Sequence, residues 1–308
     1  MPSAETEANV RSSGFFAATR ATGGRTCTFR TMSVLPRYIG SRYVQPLREG
    51  GSLPAIIDTD AGLFVAKFRG AGQGPKALVA EIIVAEIARA LGFRVPELVL
   101  LDIDEAFGRS EPDPEIQELL RASHGINVGL RYLDGAFNFD GFAAGDLIEP
   151  SFAADLVWLD AFLTNPDRTH RNPNLLVWER TPWLIDHGAA LYAHHQWSGV
   201  DETRTRSAFP MIRDHVLLSH ADDLVRADAR LAPRMTPELI DDVLAAVPDE
   251  LLMDPVNRDS FGDASEARAR YREYLLLRVA HPRSFVDEAV RAQRFRLTQP
   301  VQRRMTRR

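Results

Sequence analysis

The stretch Asn165-Pro-Asp-Arg-Thr-His-Arg-Asn-Pro-Asn-Leu-Leu-Val-Trp178, followed by Trp183-Leu-Ile-Asp-His-Gly188, decides how the rest of the chain is read. Residues 150–164 before it carry apolar side chains at helical spacing. Leu175 to Trp178 and Trp183 to Ile185 are short apolar runs, and Glu179 to Pro182 between them reads as a turn. The order helix, polar loop, hairpin brings Asp167, Asn172 and Asp186 to one end of that hairpin. Each part alone is ordinary, because Asp and Asn favour turns and tolerate left-handed backbone. The conjunction is what points to chemistry. Phosphoryl transfer asks a protein mainly for positioning: one carboxylate to orient the attacking hydroxyl, and an amide with a second carboxylate to hold magnesium on the phosphates. Asp167 is therefore the candidate base, Asn172 and Asp186 are the candidate Mg2+ ligands, and Asn172 with Asp167 makes the catalytic pair.

Working outward, the front half contains the only two lysines of a chain rich in arginine, Lys67 and Lys76. Lys67 sits in the strand-like run Leu63-Phe-Val-Ala-Lys-Phe68, which follows a turn at Asp58 to Gly62 and an apolar run at Leu53 to Ile57. A compact ammonium reaching in from a sheet suits the phosphates of ATP better than a forked guanidinium. Next comes Gly70-Ala-Gly-Gln-Gly-Pro-Lys76, and Pro75 to Leu91 is predicted to be a helix, with Pro in its first turn and Gly92 just past its end. Gly70, Gly72 and Gly74 free the backbone to approach an anion at that helix start. Glu81 on the helix is expected to pair with Lys67, with Glu86 a solvated second choice. Further elements expected are a strand at Glu97 to Ile103, a helix at Pro112 to Ser123 and a strand at Asn127 to Leu133. Beyond residue 209 come amphipathic helices at Pro210 to Leu218, Ala221 to Leu231, Pro237 to Val247, Ala264 to Val279 and Phe285 to Phe295.

Composition sets the outer limits. The chain has 308 residues, 45% hydrophobic and 26% charged, room enough for one large domain or two lobes. It holds no apolar run long enough to span a membrane. The single cysteine, Cys27, rules out an internal disulfide framework and fits a reducing cytoplasm. A net charge of -5 argues against nucleic acid as the main partner. Residues 1–32 read as a disordered extension or as the product of a start codon placed upstream of Met32. Residues 298–308 read as a basic tail, solvated or docked on an acidic partner.

These residues resemble the HipA-like kinase family and, more distantly, phosphatidylinositol 3- and 4-kinases and protein kinases. The lipid kinases carry Asp-Arg-His-x-x-Asn followed by Ile-Asp-Phe-Gly, and the similar stretches here are Asp167-Arg-Thr-His-Arg-Asn172 and Ile185-Asp-His-Gly188. The HipA-like pattern of a lysine strand, then a helix opening with Glu and closing in Leu-Gly-x-x-Val-Pro, is matched by Ala80-Glu81 to Leu91-Gly-Phe-Arg-Val-Pro96. The resemblance covers about residues 40–230. It implies an α+β, two-lobed protein-kinase-like fold, with a small mixed N-lobe at 33–134 and a mainly helical C-lobe at 135–297. It also implies γ-phosphate transfer from ATP with Mg2+ to a hydroxyl, a protein Ser/Thr in some relatives. The adenine would then meet the backbone from Tyr132 to Gly135, and residues 189–207, with Ser198, Thr203, Thr205 and Ser207, would form the activation or substrate segment. The sequence departs from the pattern in three places. Thr169 stands where relatives have histidine, with His170 one place later; His187 replaces an aromatic; and no glycine loop precedes the lysine strand unless Gly50-Gly-Ser52 serves, which otherwise leaves Gly70 to Gly74 as the phosphate lid.

Three alternatives stand beside this reading. One is a kinase acting on a small hydroxylated molecule or lipid. Another is a pseudokinase, a nucleotide-binding scaffold without transfer. The third is a metal-dependent hydrolase built from Asp167, His170, Asp186, His187, His194 and His195. The hydroxyl-bearing substrate, protein or small molecule, is not fixed by the sequence.

Overall fold

A computed structural model describes residues 34–47, 53–109, 111–141, 145–257 and 261–298. The expected N-terminal extension, the Gly50-Gly-Ser52 candidate for a glycine loop and most of the basic tail lie outside the described residues. A six-stranded sheet comes first. Its strands are β1 (Arg37–Ile39), β2 (Arg42–Pro46), β3 (Ala55–Thr59), β4 (Gly62–Lys67), β5 (Leu98–Ile103) and β6 (Gly125–Arg131), in the order β1-β5-β6-β4-β3-β2. All neighbours are antiparallel except β1, which runs parallel to β5. Helix α1 (Pro75–Leu91) and helix α2 (Pro114–Ala122) are inserted between strands.

Alternation along the strands sorts the side chains to two faces. Phe64, Ala66, Val99, Leu101 and Ile103 pack with Leu120 of α2, whereas Leu98, Leu100, Ile126, Val128 and Leu130 pack with α1. Lys67 alternates with Ala66 and so takes the α1 face, opposite Val128 in the register. Helix α1 starts with Pro75, ends at the left-handed Gly92 (φ 99°) and is further closed by Arg234, which donates to Ala90 O at 2.6 Å and Leu91 O at 2.9 Å.

The C-terminal part opens with β7 (Phe137–Asn138) and α3 (Pro150–Phe162), then the hairpin β8 (Leu175–Trp178) and β9 (Thr181–Leu184), which joins β7 in a three-stranded sheet. Helices follow: α4 (Glu202–Thr205), α5 (Leu224–Leu231), α6 (Pro237–Ala245), α7 (Asp249–Leu252), α8 (Ala264–Val279) and α9 (Ser284–Thr298). The main core is continuous from α1 through α3 to the C-terminal helices, and the described residues from Val34 onward form one compact unit. The α+β fold, a curled sheet followed by a mainly helical region, is therefore as expected. In detail the elements differ from those expected. Pro210–Asp214 is a 3-10 turn rather than the start of an α-helix, because His215 is extended (φ -60°, ψ 133°) and leads into a bridge with Thr169. The strands β1, β2 and β7 were not anticipated. No described helix is long and apolar enough to cross a membrane.

Candidate active site

Strand β4 delivers Lys67 to α1. Its Nζ lies 3.3 Å from Glu81 Oε2 and is hydrogen-bonded to Asp186 Oδ1. Glu81 is 0% exposed, and its Oε2 also accepts the His187 backbone N-H at 2.7 Å, so α1 is pinned both to the sheet and to the turn after β9. Asp186 has a left-handed backbone (φ 55°), which costs strain for a side-chain residue but is better tolerated by Asp than by most. That turn swings the carboxylate out of the hairpin toward Lys67, where its side chain is 32% exposed. Gly188 completes the turn against α1, since a Cβ there would lie 3.3 Å from Ala77 Cβ.

Burial works against the Lys67 ammonium, but Glu81 and Asp186 outweigh it and raise its pKa above the ordinary value. Burial likewise opposes the Asp186 carboxylate and is outweighed by Lys67, leaving its pKa low. Burial raises Glu81. Two carboxylates thus share one ammonium, and Asp186 is the more firmly ionised. Glu86, the second choice, pairs with Arg89 instead.

The catalytic-loop candidates converge as expected, with Asn172 Nδ2 donating to Asp167 Oδ2 at 2.8 Å. Asn174 was missed. It donates to the same Asp167 Oδ2 at 3.0 Å and to Asp186 O at 3.4 Å, so one buried amide joins the two carboxylate residues. Its left-handed backbone (φ 48°) was legible as Asn chemistry, but its partners were not. The loop rests on a buried network that was also missed. Asp160 Oδ2 accepts from Arg168 Nε at 2.7 Å and from His215 Nε2 at 2.9 Å, and Asp160 Oδ1 accepts from Asn165 Nδ2 at 3.0 Å. Leu217 N-H donates to His215 Nδ1 at 3.1 Å, which puts the His215 proton on Nε2, facing Asp160. Burial opposes the Asp160 carboxylate, yet Arg168 and His215 hold its pKa down to about 2. Asn165 Oδ1 in turn accepts the Asp167 N-H at 3.1 Å, so the network fixes the backbone of the candidate base. Arg168 also donates to Asn174 O and, at 3.2 Å, to His187 Nδ1. Burial and the Arg168 charge lower His187 to about 3, so this ring, which replaces an aromatic, is neutral and serves as an acceptor.

Other expected residues fare differently. Thr169 Oγ1 accepts the Arg171 and Asn172 N-H groups at 3.3 Å each, stabilising the turn, while His170 points outward to Arg296. The Gly70 N-H donates to Ser123 Oγ at 3.2 Å, and the Gly74 N-H to Ala71 O at 2.7 Å. Two of the three glycine amides expected to meet phosphate are therefore engaged within the protein. Gly70 is required instead by packing, since a Cβ would lie 2.7 Å from Ala122 Cβ; Gly72 is open. Leu47 N-H donates to Pro54 O at 2.7 Å, and Ala55 pairs with Ala66, so β2 ends and β3 begins at the Lys67 end of the sheet. Tyr132 N-H is likewise taken, by Leu63 O at 3.0 Å, which extends the β4-β6 ladder by one step.

The histidines proposed for a metal hydrolase do not assemble. His187 faces Arg168, His194 Nδ1 contacts Tyr271 OH at 2.9 Å, His170 contacts Arg296, and no cluster of three or more metal-ligating His, Cys, Asp or Glu occurs among the described residues.

Residues 189–207 form 3-10 turns over Tyr192–Gly199 and then α4, capped by Asp201. Thr205 is buried, with its hydroxyl on Asp201 O at 2.8 Å, which removes it from the expected modifiable positions; Ser198, Thr203 and Ser207 are exposed. Arg278 anchors the end of this segment. Its side chain donates to Thr205 O at 2.8 Å and Ser207 O at 3.1 Å, and to Ala161 O at 2.8 Å and Phe162 O at 2.6 Å at the end of α3. Arg278→Met would strand four buried carbonyls. A stability loss of about 3 kcal/mol is expected, with faster tryptic cleavage after Arg204 and Arg206. Urea titration and mass mapping of the cuts check this, and unchanged cleavage would contradict it.

A sheet lysine paired with a helix glutamate, facing a loop Asp-Asn pair and a hairpin Asp, is the arrangement of a kinase. The HipA-like kinase family model matches residues 44–260. The chain belongs to the HipA-like kinase family. Among solved structures it is similar to the Helicobacter pylori proinflammatory kinase CtkA, with 15% identity and a TM-score of 0.51, over 85% of this chain and 99% of that one. At that identity the likeness speaks for the fold. No curated protein matches the chain.

Proposed function

We propose that the protein transfers the γ-phosphate of ATP, with Mg2+, to the hydroxyl of a protein serine or threonine. The observation that carries this reading is the convergence of Lys67, Glu81 and Asp186 on one side and Asp167 and Asn172 on the other, with Asn174 bonded to both Asp167 and Asp186.

Lys67, held by Glu81, meets the phosphates as a fixed ammonium. A phosphate that takes up this ammonium leaves the Asp186 carboxylate free. Asp186 then offers a carboxylate oxygen, and Asn172, whose Nδ2 is spent on Asp167, offers Oδ1. These are hard oxygen donors that fit magnesium. When bound there, Mg2+ would neutralise charge on the phosphate oxygens. Asp167, with Oδ2 occupied by two amides, has Oδ1 left to accept the proton of the attacking hydroxyl. With the Tyr132 amide engaged, adenine recognition falls to its neighbours up to Gly135. Following γ-phosphate transfer in wild type and Asp167→Ala tests the reading: transfer by the wild type and its loss in the variant, with the fold retained, support it, and full activity in the variant overturns it.

A further inference from the structure

Two asparagines reach the same oxygen of the candidate base, Asn172 Nδ2 at 2.8 Å and Asn174 Nδ2 at 3.0 Å from Asp167 Oδ2. One amide is enough to orient a carboxylate, and the second is placed at a cost, because Asn174 is 6% exposed and sits on a left-handed backbone (φ 48°). What Asn174 adds is contact with the turn after β9. Its Nδ2 also donates to Asp186 O at 3.4 Å, and its backbone O accepts the Ile185 N-H at 3.1 Å, so the side chain is held against the residue that offers a carboxylate to magnesium. Its amide N-H groups are thereby spent on Asp167 and Asp186. The carboxamide oxygen is not: no donor among the described residues bonds Asn174 Oδ1, and it is not among the partnerless atoms that the protein seals from solvent, such as Glu81 Oε1. An accessible oxygen without a partner therefore stands on the one amide that joins Asp167 to Asp186.

Electrostatics favours a cation as its partner. Glu81 and Asp186 share the Lys67 ammonium, Asp167 adds a further carboxylate, and the nearby Arg168 is held by Asp160. We propose that Asn174 Oδ1 is a direct ligand of the magnesium ion held by Asp186, beside Asn172. The inference rests on the reading of the protein as a Mg-ATP kinase. Magnesium takes hard oxygen ligands in a demanding geometry, and a carboxamide fixed through its N-H groups presents its oxygen in one orientation. Aspartate at this position would supply an oxygen too, but it would add a negative charge beside Asp167 and lose both N-H bonds. Asn174 sets metal and base against each other through a single planar group.

The test is electron paramagnetic resonance of Mn2+, which accepts the same oxygen donors as Mg2+, bound with the non-hydrolysable ATP analogue AMP-PNP. The full chain is labelled with 13C only at the carboxamide carbon of asparagine, so that a ligating carbonyl couples its carbon to the metal's electrons. Wild type is compared with Asn172→Ser and Asn174→Ser. Carbon coupling is expected to persist in Asn172→Ser, whose remaining carboxamide at the site is Asn174, and to weaken in Asn174→Ser, with Mn2+ affinity in that variant reduced about tenfold or more. Because Asn172→Ser leaves Asn174 untouched, its spectrum decides the assignment even where Asn174→Ser does not fold. Mn2+ and AMP-PNP bound to Asn172→Ser without carbon coupling, or loss of bound Mn2+ from that variant, would overturn the assignment while the kinase reading stands. Failure of the kinase reading is distinct: the wild type itself then binds no Mn2+ with AMP-PNP, and both fall together.

Discussion

Asp167→Ala is expected to lower the rate of γ-phosphate transfer by about 10²- to 10⁴-fold, the range in which a positioned proton acceptor contributes, while ATP binding persists. The reason is local. Asp167 is held by Asn172 and Asn174, and its N-H is held by Asn165, so its carboxylate is fixed before any substrate arrives. Removing it deletes the acceptor for the attacking hydroxyl and leaves Lys67, Glu81 and Asp186 in place. Asp167→Asn separates chemistry from architecture: its carbonyl oxygen can still accept from the two amides, yet it is far less basic than the carboxylate. Equal loss of transfer in both variants, with equal thermal stabilisation by Mg-ATP, would place Asp167 in the proton step. Retention of transfer in Asp167→Asn would reduce it to a scaffold.

The largest effect on stability is expected at Asp160, a residue that touches no substrate. Asp160→Ala leaves the buried Arg168 and His215 without their shared carboxylate, and breaking a buried pair in this way costs about 3 to 5 kcal/mol. For a chain of this size that corresponds to a fall in unfolding midpoint of roughly 10 °C. Its pH dependence has a defined sign. The folded-state pKa is about 2, below the ordinary carboxylate value of 3.8. The stability it contributes is therefore complete above pH 4 and is lost as pH falls from 4 toward 2. Denaturation curves of wild type and Asp160→Asn should differ most near neutral pH and converge in acid. A gap that does not change between pH 7 and pH 3 would contradict the ionised state of Asp160.

The contrast between these two aspartates marks how far the sequence could be read. Asp167, Asn172 and Asp186 were legible because their spacing along a helix-loop-hairpin is itself the signal, and Lys67 because lysine is rare in this chain. Helix α1 was legible to the residue, since Pro75 and Gly92 punctuate its ends locally. Asp160 was not, because one acid on an otherwise apolar helix acquires meaning only when Arg168 and His215, eight and 55 residues away, are folded onto it. The contacts of Gly70 were hidden for the same reason: it packs against Ala122 and its N-H donates to Ser123, long-range contacts that its glycine-rich local context does not show. Strand β1 was missed because three largely exposed residues carry no periodicity, and its pairing with β5 is parallel and distant in sequence.

The most direct test of the account is the thermal shift produced by ATP with and without magnesium, in wild type and Asp186→Asn. The variant keeps the Lys67-Glu81 pair and removes only the negative charge offered to the metal. Magnesium is expected to strengthen the ATP-dependent rise in unfolding midpoint in the wild type, and this increment to disappear in the variant. Stabilisation that is independent of magnesium, an increment unchanged in Asp186→Asn, or no stabilisation by ATP at all would contradict it.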